Sequence, residues 1–165
     1  MVKMTLRFIA DSMLGGLARW LRMLGYDTLY YRRISDSTLL ATAREQGRIL
    51  LTRDKSLSAR AKKAGVQVVY IPDSDVEAWL KTLRRTLGIR LEIPAETTRC
   101  PICNSPLRHV GRDDVKGEVP LYIHEKYSEY WKCVECGKVY WRGPHWYSIE
   151  KVLKRIKGSM VEDDG

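Results

Sequence analysis

Between residues 6 and 88 the chain repeats one rhythm four times: a short apolar run, a longer amphipathic run, then a glycine. The strand candidates are Leu6 to Ala10, Thr28 to Tyr31, Arg48 to Thr52 and Val66 to Ile71, each short and mostly β-branched, aromatic or aliphatic. The helix candidates between them are Leu14 to Leu24, Ser37 to Gln46, Ser56 to Ala64 and Val76 to Leu87, followed by Gly25, Gly47, Gly65 and Gly88 as terminating residues. In the first helix Leu14, Leu17, Ala18, Leu21 and Leu24 form a core-facing stripe, and this places Arg19 and Arg22 on another face. Strands alternating with helices of this length require right-handed crossovers, hence a parallel sheet with helices on both faces. The expected fold class is therefore α/β, a small parallel-sheet, three-layer domain over residues 1–93.

In such a sheet, ligands bind beyond the carboxyl ends of the strands. Asp11, Asp36 and Asp54 each follow a strand candidate and precede a helix candidate, so all three are expected at that one edge, with Asp73 and Asp75 beside them. Carboxylates that meet repel one another and must take up protons or bind a hard cation. Carboxylate-held Mg²⁺ or Mn²⁺ is a common apparatus for cleaving phosphodiesters. Aspartate is also among the best helix N-caps, and each of these residues taken singly fits that structural role. Their joint placement favours chemistry. Thr52, two residues before Asp54 at the end of the strand candidate, is placed to steady a carboxylate with its hydroxyl.

The charge balance bears on what such an edge would meet. Lys and Arg number 29 against 20 Asp and Glu, a net charge of +9. The excess is lopsided: residues 1–93 carry 17 basic and 9 acidic groups, residues 94–165 carry 12 and 11. A basic surface around an acidic centre suits a polyanion; a solvated surface rich in Lys and Arg reads equally well from charge alone. Arg19, Arg53, Arg22 and Lys55 are candidates for phosphate contacts, with Arg19 preferred for its place near the start of the first helix. No signal-peptide pattern opens the chain and no apolar run reaches bilayer-spanning length, so a cytoplasmic protein without membrane partners is expected.

From Ile89 to Arg99 the helical rhythm stops and a second module follows, a zinc ribbon with a C-terminal helix expected over 94–157 and a disordered tail over 158–165. Cys100-Pro-Ile-Cys103 and Cys133-Val-Glu-Cys136, separated by 29 residues, have the spacing of two zinc knuckles. Four sulfurs close the coordination shell, so the Zn²⁺ is expected to be structural. A redox Cys-x-x-Cys or paired disulfides are the competing readings. Eight of the fifteen aromatic residues lie in 122–147: Tyr122, Tyr127, Tyr130, Trp131, Tyr140, Trp141, Trp146 and Tyr147. They read first as the filling of a small core, and second as a stacking platform for single-stranded RNA near Lys138 and Arg142. A short amphipathic segment near Ile149 to Ile156 closes the module.

The run Phe8-Ile-Ala-Asp11-Ser-Met-Leu-Gly-Gly-Leu-Ala-Arg19-Trp-Leu-Arg22, with Ser35-Asp36 leading into a helix and Leu51-Thr52-Arg53-Asp54 closing the third strand, resembles a PIN-like ribonuclease domain. With the cysteine module and Tyr140-Trp-Arg-Gly-Pro-His-Trp146 it is similar, more narrowly, to the Mut-seven C-terminal RNase family over residues 6 to 150. The resemblance implies Mg²⁺- or Mn²⁺-dependent hydrolysis of RNA, with Asp11, Asp36 and Asp54 as the metal-binding acids. PIN domains commonly carry one more acid between the first and the later pair. Here the only acid between Asp11 and Asp36 is Asp27, which precedes the second strand and so belongs to the opposite edge; Asp73 or Asp75 is the weaker substitute. One resident ion, joined by a second with substrate, and two resident ions both satisfy this set. Two rival readings differ in class. A non-catalytic RNA-binding zinc-ribbon adaptor would use the acids only as caps. A phosphoacceptor receiver would need an acidic pair after the first strand, where Asp11 stands alone.

Overall fold

In the computed structural model, which describes residues 5–163, the four repeats form a parallel sheet of β1 (Phe8–Ala10), β2 (Thr28–Tyr30), β3 (Ile49–Thr52) and β4 (Val68–Tyr70). The strand order is β2-β1-β3-β4 and all three pairings are parallel. The connecting helices are α1 (Gly15–Met23), α2 (Asp36–Gln46), α3 (Lys55–Lys63) and α4 (Val76–Leu87), with a 3-10 turn, Ser12–Leu14, leading into α1. The central strands β1 and β3 are buried throughout, whereas β2 and β4 are only partly covered. Side chains alternate across a strand, and this divides the core cleanly. Phe8, Ala10, Ile49 and Leu51 pack with α1 and α4 on one face, while Ile9 and Leu50 pack with Leu39, Ala43, Leu57 and Ala61 of α2 and α3 on the other. Gly47 and Gly88 end α2 and α4 at φ of 60° and 68°, angles that cost glycine nothing.

The second segment folds as an antiparallel sheet of β5 (Leu107–Gly111), β6 (Glu129–Cys133) and β7 (Val139–Tyr140), with α5 (Leu121–Lys126) in the long β5–β6 connection. Tyr130 and Trp131 are neighbours on β6 and, by the same alternation, fill two separate small cores.

The closing helix differs from expectation. α6 runs from Pro144 to Asp163, twenty residues rather than a short segment near Ile149 to Ile156. The stretch from 158, expected to be a disordered tail, is helical through Asp163; residues 164 and 165 lie outside the described residues. The reason is a stripe at alternating spacings of three and four, Trp146, Ile149, Leu153, Ile156 and Met160, which gives α6 an apolar face along its length. Ile149, Leu153 and Ile156 are buried in the core shared with α1 and α4. The packing thus crosses the boundary expected at residue 93. No helix among the described residues is long and apolar enough to cross a membrane.

Candidate active site

The sheet order reverses direction between β1 and β3: the chain leaves β1 for β2 on one side, then crosses back to β3 and on to β4. At such a reversal the connections diverge and leave a crevice beyond the strand ends. Asp11 stands at the end of β1 and Asp54 just past the end of β3, the two strands that flank it.

Asp11 is held by hydroxyls. Thr52, fully buried at the end of β3, donates from Oγ1 to Asp11 Oδ2 at 2.7 Å, and Ser12 Oγ donates to Oδ1 at 3.2 Å. The same Thr52 oxygen accepts the backbone N–H of Asp54 at 2.9 Å. Asp11 heads the 3-10 turn but makes no side-chain cap, so its carboxylate is not consumed by the helix. Asp54 is a cap, with Oδ1 accepting from Leu57 N–H at 3.1 Å. Asp36 is not one: Ser35 caps α2, and Asp36, in its first turn, pairs with Arg60 of α3 at 3.2 Å, both side chains about half exposed. Asp75 caps α4 through Ala78, and the Asp73 carbonyl accepts the Trp79 indole N–H at 2.7 Å. Asp11 and Asp54 are therefore linked through Thr52, while Asp36 sits at the same edge, turned toward Arg60. Among the described residues, the four cysteines are the group of three or more such side chains whose donor atoms converge; the three aspartates do not converge in that way.

The donor chemistry nevertheless fits a hard divalent cation. Each aspartate retains acceptor capacity: Asp54 Oδ2 and Asp36 Oδ1 make no hydrogen bond or ion pair among the described residues, and each Asp11 oxygen accepts a single hydroxyl.

Tyr30 reaches this edge from β2. Its hydroxyl donates to the Ser12 carbonyl at 2.9 Å, and its ring lies against Gly15, where an added Cβ would come within 2.8 Å of a ring carbon. Neither Tyr30 nor Ser12 stands out in the sequence as a site residue; the glycine pair opening α1 is the available signal. Of the basic candidates, Arg19 is exposed and unpartnered among the described residues. Arg53 reaches the Pro72 carbonyl at 3.3 Å, leaving its buried Nε without a partner.

Arg22 is not a surface residue. It is only 6% exposed, with Nε donating to Thr28 O at 2.9 Å and Nη1 to the carbonyls of Pro101 and Ile102 at 2.9 and 3.3 Å. It docks the first cysteine knuckle onto α1 and β2. Asp27 works beside it at the opposite edge of the sheet, as expected, accepting from Arg48 at 2.8 Å and Asn104 at 2.7 Å. Burial alone would raise the Asp27 pKa, but the hydrogen bonds and charges of Arg48, Asn104 and Arg99 outweigh it and hold the carboxyl below its ordinary value.

Cys100, Cys103, Cys133 and Cys136 place their sulfurs within 4.8 Å of one another, and none forms a disulfide. Cys100–Cys136 is 3.9 Å and Cys103–Cys133 is 3.3 Å. These bracket the roughly 3.8 Å sulfur spacing of tetrahedral Zn²⁺ with Zn–S near 2.3 Å. The Tyr140 hydroxyl lies 3.2 Å from Cys100 Sγ, and Cys136 N–H donates to Cys133 Sγ at 3.5 Å. Burial pushes the Cys133 thiol up to about 12. At Cys103 burial is overcome by hydrogen bonds from Ser105 and Cys133, which bring the thiol down to about 6. Four thiols converging in this way could hold zinc, whose charge would offset their thiolates. Of the crowded aromatics, Tyr130, Trp131 and Trp146 are buried as core, with Trp131 and Trp146 in contact at 4.8 Å and Arg142 over both rings.

Residues 6–153 match the Mut7-C RNAse domain model. The human exonuclease mut-7 homolog is 30% identical over 124 residues, covering 73% of this chain but only 14% of that protein's length. No solved structure matches the chain. With the family model covering nearly the whole described fold, including the switch-point aspartates and both cysteine pairs, the chain belongs to the Mut7-C RNase domain family.

Proposed function

We propose that this chain is a Mg²⁺- or Mn²⁺-dependent ribonuclease that hydrolyses phosphodiester bonds of single-stranded RNA at the carboxyl edge of its parallel sheet. The observation that carries this reading is the hydrogen-bonded link of Asp11 to Thr52 and Thr52 to the Asp54 backbone, which fixes two acids at the topological switch point and leaves Asp11 free of capping duty. Asp11, Asp36 and Asp54 would hold the ion; bound there, it supplies Lewis acidity toward a phosphodiester and offsets the charge of the carboxylates. Thr52 and Ser12 fix the rotamer of Asp11, and Tyr30 fixes the backbone that carries Ser12. To help hold the ion, Asp36 would have to release Arg60. That costs little, because an exposed ion pair contributes only about 0.2–1 kcal/mol. The exchange also frees a guanidinium beside the site, where with Arg19 and Arg53 it can bind phosphate oxygens. The four cysteines hold Zn²⁺ in a structural role.

End-labelled single-stranded RNA incubated with the protein, with and without Mn²⁺, tests this. Asp11→Asn and Asp54→Asn should each lower cleavage roughly a hundredfold or more, a few kcal/mol of barrier. A non-catalytic RNA-binding adaptor would show no cleavage for Asp54→Asn to remove and unchanged RNA affinity.

A further inference from the structure

α6 begins at a cavity and runs toward the aspartate edge. The cavity, about 480 Å³, lies between the cysteine module and the first helix, and its lining includes Ile102, Lys138, Tyr140, Trp141, His145 and Trp146. No carboxylate lines it, and Lys138 and His145 are exposed cations or potential cations without partners among the described residues. Aromatic rings and an unpaired cation in one lining suit a nucleobase with its phosphate, and the volume accommodates one nucleotide.

The direction of α6 follows from its contacts. Trp146 in its first turn lines the cavity, whereas Arg155 pairs with Glu77 at 3.5 Å. Glu77 lies in the first turn of α4, just beyond the carboxyl end of β4, the edge that carries Asp54, Asp73 and Asp75. Lys151 and Lys154 lie between these points and Lys157 just beyond, recurring every third residue, all exposed and none partnered among the described residues. The single carboxylate of 144–157, Glu150, is engaged by the Trp146 indole N–H at 2.8 Å. The opposite face of the helix, Ile149, Leu153 and Ile156, is buried in the core, so Lys151 and Lys154 are presented outward by packing, with Lys157 exposed at the flank of the apolar stripe. From Trp146 to Lys157 the helix rises about 16 Å, a span that several consecutive phosphates can follow.

We propose that single-stranded RNA lies along the outer face of α6, with one base seated in the cavity and its phosphates on Lys151, Lys154 and Lys157, and is led by them toward the aspartates. The destination of the strand rests on the ribonuclease reading; the binding track does not, and the two are tested apart. Binding is measured on the full-length zinc-loaded Asp54→Asn chain, by fluorescence anisotropy of a short fluorescein-labelled oligouridylate across a KCl series. Lys151→Glu/Lys154→Glu should weaken binding about tenfold or more and flatten the salt slope by roughly 1.4, as expected for two lost single-strand phosphate contacts. Lys62→Glu/Lys63→Glu, an equal charge change on exposed residues of α3, should shift affinity no more than about twofold. Equal losses in the two double variants, or no binding by the parent chain, would overturn the track. Indole emission should be quenched as the oligonucleotide binds, and unchanged emission would overturn the cavity as its anchor. Failure of the ribonuclease reading would appear elsewhere, as cleavage by wild type and Asp54→Asn at the same rate, with the binding results intact.

Discussion

At the scale of single residues, the capping role and the proposed chemical role of Asp54 can be separated, because asparagine caps a helix about as well as aspartate. Asp54→Asn should therefore melt within a degree or two of wild type while losing cleavage. Asp54→Ala should lose both, at a cost of about 1 kcal/mol in stability from the lost bond to Leu57. Differential scanning calorimetry beside the cleavage assay checks the pair; retained activity in Asp54→Asn would reduce the residue to a cap. Gly15→Ala raises helix propensity, but the new methyl meets the tip of the partly exposed Tyr30 ring and should push it off the Ser12 carbonyl, so the variant should lose up to about 1 kcal/mol and need more Mn²⁺ for activity. A stabilised variant would contradict that packing. Asp27 gives a pH-dependent prediction. Its folded pKa is depressed, so its contribution is present above the unfolded carboxyl value near 4 and is lost as pH falls through the lower folded value. Asp27→Asn should thus be less stable than wild type at neutral pH, with the difference shrinking in urea titrations carried below about pH 4.

Among the elements, the βα rhythm is legible because periodicity and terminating glycines are local signals, and the four helix candidates fall within one residue of α1 to α4 at every end. What escaped was non-local. Arg22 reads as an exposed partner of Arg19, but its hydrogen-bond acceptors Pro101 and Ile102 lie 79 and 80 residues away, beyond any sequence window. Arg48 reads as the first residue of the third strand, yet its side chain is drawn to Asp27 and the strand proper starts at Ile49. The switch-point aspartates were readable from topology alone; the rotamer of Asp36 was not, since it depends on Arg60 of another helix. α6 was underestimated because its stripe mixes tryptophan and methionine with aliphatics across a glycine at 158. Leu153→Ala, far along the chain from the parallel sheet, should nonetheless lower stability by about 2–5 kcal/mol in denaturant melts, because the side chain is buried between α6 and the core of α1 and α4.

Taken as a whole molecule, two centres occupy opposite ends of the parallel sheet. The cysteine knuckle is tied to the amino edge through Arg22, Asp27, Arg99 and Asn104, while the aspartates stand at the carboxyl edge. Removing zinc should therefore unfold the antiparallel module first, with loss of the near-ultraviolet circular dichroism of Trp131 and Trp146, and lower the melting temperature of the remainder; a retained signal in fully zinc-free protein would contradict a structural role. At the other edge, the proposed activity is metal-dependent cleavage of RNA by the aspartates. It is tested most directly by cleavage of end-labelled single-stranded RNA by zinc-loaded wild type, Asp11→Asn and Asp54→Asn across a Mn²⁺ titration, with folding checked by melting temperature. Saturable, Mn²⁺-dependent cleavage by wild type and its near-complete loss in both folded variants is the predicted result, and cleavage at equal rates by all three proteins would contradict it.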